Sequence, residues 1–157
     1  MLNVQGLTNL QYLGCNSNQL PTLNVQDLTN LIVLYCDHNL LTTLDVQSLT
    51  NLQYLYCNSN QLPTLDVQGL SNLQNLHCND NQLTSLLIKN GSNEENGLDF
   101  SNNPNLAYIC CDDTQLTDVQ TKATQYGLTH CLVDAACVVG TAQNPTCPPI
   151  RRRNDLS

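Results

Sequence analysis

The stretch from Leu7 to Asp27, LTNLQYLGCNSNQLPTLNVQD, decides the fold of this chain. It recurs with few changes over 28–48, 49–69 and 70–90, at a fixed period of 21 residues. A period of this length is typical of a solenoid, in which each repeat is one coil that buries its apolar side by stacking on its neighbours. Because solenoids present long and regular surfaces, the period also favours a binding function over catalysis.

Each repeat consists of two similar half-turns. In the third copy, Leu52 to Cys57 reads L-x-x-L-x-C, and Leu62 to Val67 reads L-x-x-L-x-V. Residues two apart in a strand point to the same face. The pattern therefore predicts two short extended segments per coil, with the Leu, Cys and Val side chains inward.

Cysteine and asparagine recur at fixed inward positions of the coils. A free cysteine behaves as a small buried apolar residue, so we predict a reduced core ladder of Cys15, Cys36, Cys57, Cys78 and Cys111. An asparagine follows at each coil corner, where an inward amide would pair with buried backbone groups; the set is Asn18, Asn39, Asn60 and Asn81. Zinc ligands converge from short paired spacings, so cysteines 21 residues apart predict no metal site, and no cofactor is expected.

These residues carry a family resemblance. The motif L-x-x-L-x-C-x-x-N-x-L, found within 2–86, resembles the core of leucine-rich repeats, and L-x-x-L-D-V resembles the second half of short bacterial repeats of nested period. The stretch LTSLLIKNGSNEENGLDFSNNPNLAYICCDD, which starts at Leu83, and the later VQTKATQYGLTHC are similar to the end of the array in secreted flavobacterial (Bacteroidota) leucine-rich-repeat proteins. The resemblance implies a leucine-rich-repeat solenoid, mainly β, coiled right-handedly around a parallel sheet. It also implies export by the type IX route.

The ends of the chain add to that expectation. The family typically has a signal peptide and a C-terminal sorting domain, and this chain shows neither. The chain also opens at Leu2 in the second half of a coil, one period before Leu23. We therefore expect a fragment of a longer exported protein; the alternative is a complete small protein whose first half-coil frays.

The period breaks after Ile88. The Asn/Gly/Ser-rich segment 89–97 predicts a surface insertion, followed by a last coil at 98–111, so the array is expected to span 1–111. Beyond it, one-faced spacing from Leu116 to Tyr126 predicts a helix.

Further signals place a C-terminal cap of one helix and one strand over 112–139. Thr114 is the expected N-cap and Gly127 the expected stop of the helix, and 128–133 is expected to be the strand. Segment 140–157, rich in Pro and Arg, is typical of a linker or disordered tail.

The cysteines outside the ladder are candidates for a disulfide. Exported proteins oxidise such cysteines. The sequence leaves two pairings open, Cys131 with Cys137 or Cys110 with Cys131.

Composition and motifs argue against several functions. The net charge is −8 and charged residues make up only 11%, whereas nucleic-acid binding needs a basic stripe. No run approaches the roughly 20 apolar residues of a membrane span. The chain has no G-x-S-x-G, H-E-x-x-H or Gly-rich phosphate loop, so no enzyme is expected.

Outward residues of the first half-turn form two columns rich in tyrosine. The first is Tyr12, Val33, Tyr54, Asn75 and Tyr108, and the second is Gly14, Tyr35, Tyr56, His77 and Cys110. Tyrosine offers a large rigid contact area and a hydroxyl. We therefore predict a monomeric, secreted or cell-surface recognition module that binds a protein or glycan through Tyr12, Tyr35, Tyr54, Tyr56, His77 and Tyr108.

Two other functions remain open. Aromatic residues also favour strands for packing alone, so the array is alternatively a structural spacer or adhesin stalk without a ligand of its own. Ice binding ranks below both, because it depends on one short column, Thr22, Thr43 and Thr64, continued only by Ser85.

Overall fold

The computed structural model describes residues 2–94 and 97–137. The chain forms a parallel-sheet β-solenoid of about six turns, with one helix near the C-terminus followed by a strand. The elements are β1 (Tyr12–Gly14), β2 (Val33–Tyr35), β3 (Tyr54–Tyr56), β4 (Thr64–Asp66), β5 (Asn75–His77), β6 (Ser85–Leu87), β7 (Leu98–Asp99), β8 (Tyr108–Cys110), α1 (Leu116–Gln125) and β9 (Leu132–Asp134). The predicted fold class is confirmed, whereas the predicted tail at 140–157 lies outside the described residues.

Two parallel sheets run along the solenoid. The first sheet has the order β1-β2-β3-β5-β7 and the second has the order β4-β6-β8-β9. Neighbouring strands of the first sheet pair in the register of the repeat, so that Leu34 lies beside Leu55 and Leu55 beside Leu76. Within the described ranges, the second half-turns of the first two coils form no assigned strand, so each sheet is built mainly from one type of half-turn.

The core lies between the two sheets. In β1 to β6 the central leucine points inward while its neighbours are more exposed, as alternation along a strand requires. Leu34, Leu55 and Leu76 are fully buried. The prediction that the leucines of the repeat point inward is therefore confirmed.

Each coil turns its first corner through a residue in the left-handed backbone conformation. The corner residues are Ser17, His38, Ser59, Asp80 and Asn102, with φ of 53° to 54°. Short polar side chains tolerate this conformation better than branched ones. The residue after the corner is an asparagine in all five coils, and its side chain is buried in all of them except the first.

These inward asparagines satisfy buried backbone groups of two coils at once. The Asn60 side-chain amide donates to the carbonyl oxygens of Cys36 and Cys57, each at 3.1 Å, and its Oδ1 accepts the Leu41 N–H at 2.9 Å. Asn39, Asn81 and Asn103 bond in the same way. The sequence did not predict Asn103, whereas Asn18 is exposed and its side-chain amide donates to carbonyls of its own coil, those of Cys15 and Asn16.

The last coil corrects the prediction that Cys111 continues the cysteine ladder. Because 89–97 leads into β7, the first half-turn of this coil is Leu98 to Phe100, and the Cys78 N–H donates to the Asp99 carbonyl. Phe100 therefore occupies the fifth position of the cysteine ladder. Cys111, expected there, follows β8 in the second sheet and donates its N–H to the Asp134 carbonyl instead.

The C-terminal helix ends as predicted but begins differently. Gln115, not Thr114, is the N-cap, and its side chain makes no capping bond. Gly127 has a φ of 76° and follows the helix, where the Gly127 and Leu128 N–H groups donate to Thr124 and Ala123. The strand predicted at 128–133 is β9, which begins only at Leu132 because it must align with β8.

One disulfide ties this region to the solenoid, and it is neither of the two pairings expected. Cys110 in β8 bonds to Cys137 beyond β9, with the Cα atoms 5.2 Å apart. The pairing of β8 with β9 brings the two cysteines together, which sequence spacing alone could not reveal. Cys131 is therefore not part of this bridge.

A buried carboxylate joins the insertion to the helix. Glu94 is fully buried, and its carboxylate accepts hydrogen bonds from the side chains of Asn90 and Gln115, each at 2.7 Å, and from the Ser92 hydroxyl. The network fastens the start of α1 to segment 89–94. No segment of the described residues has the helical length and apolar character needed to cross a bilayer.

Candidate ligand-binding face

Four aromatic rings form a continuous row on the outward face of the first sheet. Tyr12 and Tyr35 meet edge-on at 5.6 Å between ring centroids, and Tyr35 and Tyr56 do so at 4.7 Å. Tyr56 and His77 stack at 4.6 Å with an interplanar angle of 20°. We call Tyr12, Tyr35, Tyr56 and His77 the ring ladder.

Tyr12 joins this row from the neighbouring column. The second column begins with Gly14, which has no side chain, and the Tyr12 ring lies over it. A Cβ placed on Gly14 would lie only 3.2 Å from Cε1 of Tyr12. The sequence predicted both columns. It did not predict that Gly14 leaves room in the second column for the ring of Tyr12, which belongs to the first.

The other two predicted tyrosines lie outside the ring ladder. Tyr54 lies on the same face in the first column, where its hydroxyl is 3.3 Å from Oε1 of Gln74. Tyr108 is in the second sheet, where it pairs with Ser85 and Leu132 and buries its hydroxyl oxygen. Its assignment to the Tyr12 column is wrong, because the insertion lengthens the period and Gly97 follows Asn75 in the first sheet.

A carboxylate lies beside the middle of the ring ladder. Asp37 follows Tyr35 by two residues and so leaves the chain on the same side. Burial, the neighbouring tyrosines and the Asp37 charge raise the pKa of Tyr35. Oδ2 of Asp37 is also 2.9 Å from Nδ1 of His38 at the coil corner.

The far end of the ladder is closed by the C-terminal helix. Asp99 lies beside His77 in the strand register. The Tyr126 ring packs edge-on against Phe100 at 5.1 Å between centroids. Burial and a hydrogen bond to Asp99 raise the pKa of the Tyr126 hydroxyl.

The cysteine ladder beneath this face is a packing feature. Cys15, Cys36, Cys57 and Cys78 lie buried one per coil as free cysteines, at the inward position that the repeat predicts. Burial raises the pKa of the Cys36 and Cys57 thiols well above the usual value. A protonated thiol is a poor nucleophile and a poor metal ligand, and no group of three or more His, Cys, Asp or Glu in the described part of the chain could hold a metal ion.

Comparisons with known proteins identify the repeats. Residues 29–71 match the family model for leucine-rich repeats (2 copies). No curated protein matches the chain significantly.

Three solved structures resemble the chain. The functional domain of InlJ from Listeria monocytogenes, described as including a cysteine ladder, is 37% identical over 71% of this chain and 22% of that one, with a TM-score of 0.49. A leucine-rich-repeat protein of Leptospira interrogans is 27% identical over 82% of this chain and 32% of its own, with a TM-score of 0.51. The internalin InlF of Listeria monocytogenes is 22% identical over 81% and 35%, with a TM-score of 0.50.

The chain thus spans about a fifth to a third of the length of these solved proteins. The repeat motif, the stacked coils with their asparagine ladder and the family match over 29–71 all agree. Residues 29–71 are thus similar to leucine-rich repeats, and the fold of the chain is similar to that of bacterial leucine-rich-repeat proteins of solved structure.

Proposed function

We propose that the outward face of the first sheet is a recognition surface for a protein or a glycan. The ring ladder carries this proposal. Its rings stand side by side on a regular sheet, and Tyr12 is 57% exposed. Rigid aromatic side chains lose little conformational freedom on binding and are enriched at the centres of interfaces.

The family supports a binding role. Leucine-rich-repeat domains of the internalin type generally mediate protein binding, and they are recognition modules rather than enzymes. The stacked coils hold the tyrosines in a fixed arrangement before any partner arrives. A preformed surface of this kind reduces the ordering cost of association.

We further propose that the protein acts outside the cytoplasm. The Cys110–Cys137 disulfide supports this location, because disulfides persist in oxidising compartments and are rare in reducing ones. The resemblance to secreted flavobacterial proteins agrees with it. Detection of the intact chain with its disulfide in the extracellular fraction of the native organism would test the proposal.

A spacer or stalk function is the alternative, and the same ring ladder favours it. Edge-on and stacked aromatic pairs across neighbouring strands stabilise a sheet. In that case the rings at Tyr35 and Tyr56 serve the stability of the solenoid and contact no ligand.

One set of variants separates the two functions. Tyr35→Ala, Tyr54→Ala and Tyr56→Ala, combined in one chain, would be compared with the unaltered protein on panels of purified extracellular proteins and of glycans. We expect at least one partner of the unaltered protein to be lost while the circular dichroism spectrum is retained. Loss of stability without loss of any partner would support the spacer.

The opposite face provides the matched control. Thr22, Thr43 and Thr64 are exposed on the second half-turns, and their combined change to alanine should leave partner binding intact. The same threonine variant also tests ice binding in an ice-recrystallisation assay. If the protein binds ice, the threonine variant should lose this activity and the tyrosine variant should retain it.

A further inference from the structure

The repeat array is acidic and has no strong base of its own. Residues 2–88 contain five aspartates and no lysine or arginine. The next base, Lys89, donates to the Ala135 carbonyl at 2.6 Å and lies 3.6 Å from Oδ2 of Asp113. The strands that carry the ring ladder therefore have no lysine or arginine to neutralise the charge near it.

Negative charge lies next to the aromatic rings as well as on the array as a whole. Asp37 follows Tyr35 by two residues and so leaves the chain on the same side as the ring ladder. Asp99 lies beside His77 at the other end of the row. Both carboxylates already have partners: Asp99 is bonded to the Ser101 N–H and to Tyr126, and Asp37 to the His38 imidazole. Because His38 is exposed at the coil corner, a cation can replace it at Asp37, which is therefore the better placed to meet a partner.

Aromatic faces and carboxylates attract the same kind of ligand. The face of a tyrosine ring is electronegative and binds a guanidinium or ammonium group placed over it. A carboxylate adds a charge-assisted hydrogen bond to the same group. An anionic ligand would meet repulsion from a chain whose net charge is −8.

We propose that the partner of this face is a protein segment rich in arginine or lysine, whose cationic side chains lie against Tyr35 and Tyr56 and pair with Asp37. This inference rests on the proposed recognition function and adds the chemistry of the partner. Charge complementarity between the acidic array and a basic segment is the argument for this occupant over a neutral glycan.

The test uses defined probes and the full chain. Fluorescence anisotropy would measure the binding of a labelled peptide of alternating glycine and arginine, with an equal peptide of glycine and glutamate as the charge control. We expect the arginine peptide alone to bind, with affinity falling as salt increases. Combined Tyr35→Ala and Tyr56→Ala should weaken its binding by roughly tenfold or more.

A matched pair of charge variants separates a local site from general attraction. Asp37→Asn and Asp66→Asn each remove one negative charge, but Asp66 lies in the second sheet, where it accepts a hydrogen bond from Gln47 at 2.7 Å. Only Asp37→Asn should weaken binding of the arginine peptide, by roughly fivefold. Equal weakening by both variants would overturn the inference, because it would reflect net charge alone.

A neutral oligosaccharide, cellohexaose, distinguishes failure of this inference from failure of the proposed function. Tyr35-dependent binding of cellohexaose without binding of the arginine peptide overturns the basic partner and leaves the recognition face standing. Absence of arginine-peptide binding overturns the inference under any other result. The absence of every tyrosine-dependent partner on the protein and glycan panels would instead count against the recognition function itself.

Discussion

At the scale of single residues, an inward cysteine and an inward asparagine recur in the inner coils. Asn60 satisfies the carbonyls of Cys36 and Cys57 and the N–H of Leu41. Buried backbone groups left without partners cost more free energy than a typical hydrogen bond contributes. One asparagine therefore specifies how two successive coils turn and stack.

Replacing Asn60 with alanine should strongly destabilise the fold. The change strands buried backbone groups of two coils, at about 1–3 kcal/mol for each unsatisfied group. Urea denaturation followed by circular dichroism measures the loss. Asn58→Ala is the control, since Asn58 is only half-buried, and a loss as large as that of Asn60→Ala would contradict the proposed role of the inward amide.

The buried thiols predict that stability falls at alkaline pH. Burial raises the pKa of Cys36 and Cys57 above the usual 9.0, so these thiols stay protonated in the folded state. The contribution of the protonated thiols to the free energy of unfolding is fully present below the pKa of the unfolded thiol. It is lost as the pH rises above that pKa. One unit above that pKa, each thiol should cost the fold about 1 kcal/mol.

Denaturation under reducing conditions at several pH values measures this effect. A chain with Cys36→Val and Cys57→Val should lose less stability between neutral and alkaline pH than the unaltered chain. Identical pH profiles for the two chains would show that the ladder thiols do not titrate on unfolding.

At the scale of elements, neighbouring coils determine which strand a segment joins. The insertion at 89–97 shifts the repeat, so that Leu98 pairs with Leu76 and Tyr108 pairs with Ser85 in the second sheet. Because a strand follows the hydrogen-bonding register of the coil beneath it, a small change in loop length moves a whole set of side chains to another face.

The C-terminal elements depend on the disulfide that joins β8 to the end of β9. Cys110 and Cys137 are 27 residues apart. In the chain-entropy model, a bridge that closes a loop of this length stabilises the fold by about 3.5 kcal/mol. Combined Cys110→Ala and Cys137→Ala should therefore lower the free energy of unfolding by an amount of that order.

Denaturation with and without a reducing agent provides the measurement. The unaltered protein and a Cys131→Ala variant should both lose stability on reduction, whereas the double variant should not respond. A Cys131→Ala variant that no longer responds to reduction would show that another pairing forms in solution.

At the scale of the whole molecule, stability follows position along the stack. Each coil contacts mainly its two neighbours, so the solenoid behaves as a one-dimensional array. Leu55 in the third coil is fully buried, whereas Leu13 in the first coil is 9% exposed. Inner coils are therefore packed on both sides, and the coil that contains β1 is packed less completely.

Truncation of equivalent leucines should reveal this gradient. Leu55→Ala should cost about 2–5 kcal/mol, as expected for a fully packed leucine, and Leu13→Ala should cost clearly less. Hydrogen exchange should show that Leu13→Ala exposes amides of the first coil, such as that of Cys15, while those near β5 stay protected. Equal costs and uniform loss of protection would indicate that the molecule unfolds as one unit.

The 21-residue period by itself determined the solenoid, the inward leucines, the first four cysteines of the ladder and three of its asparagines. These features depend on interactions that repeat identically from coil to coil, so one repeat specifies them all. The ring ladder was predicted in part, because its tyrosines occur at matching positions of successive repeats.

Only the tertiary structure decided the features that break the repeat. The insertion sends Tyr108 to the second sheet, places Phe100 at the end of the cysteine ladder and aligns β8 with β9 so that Cys110 meets Cys137. The absence of a side chain at Gly14 likewise lets Tyr12 lie against Tyr35. Such contacts join residues whose spacing in the sequence carries no regular signal, and they arise only when the stacked coils bring those residues side by side.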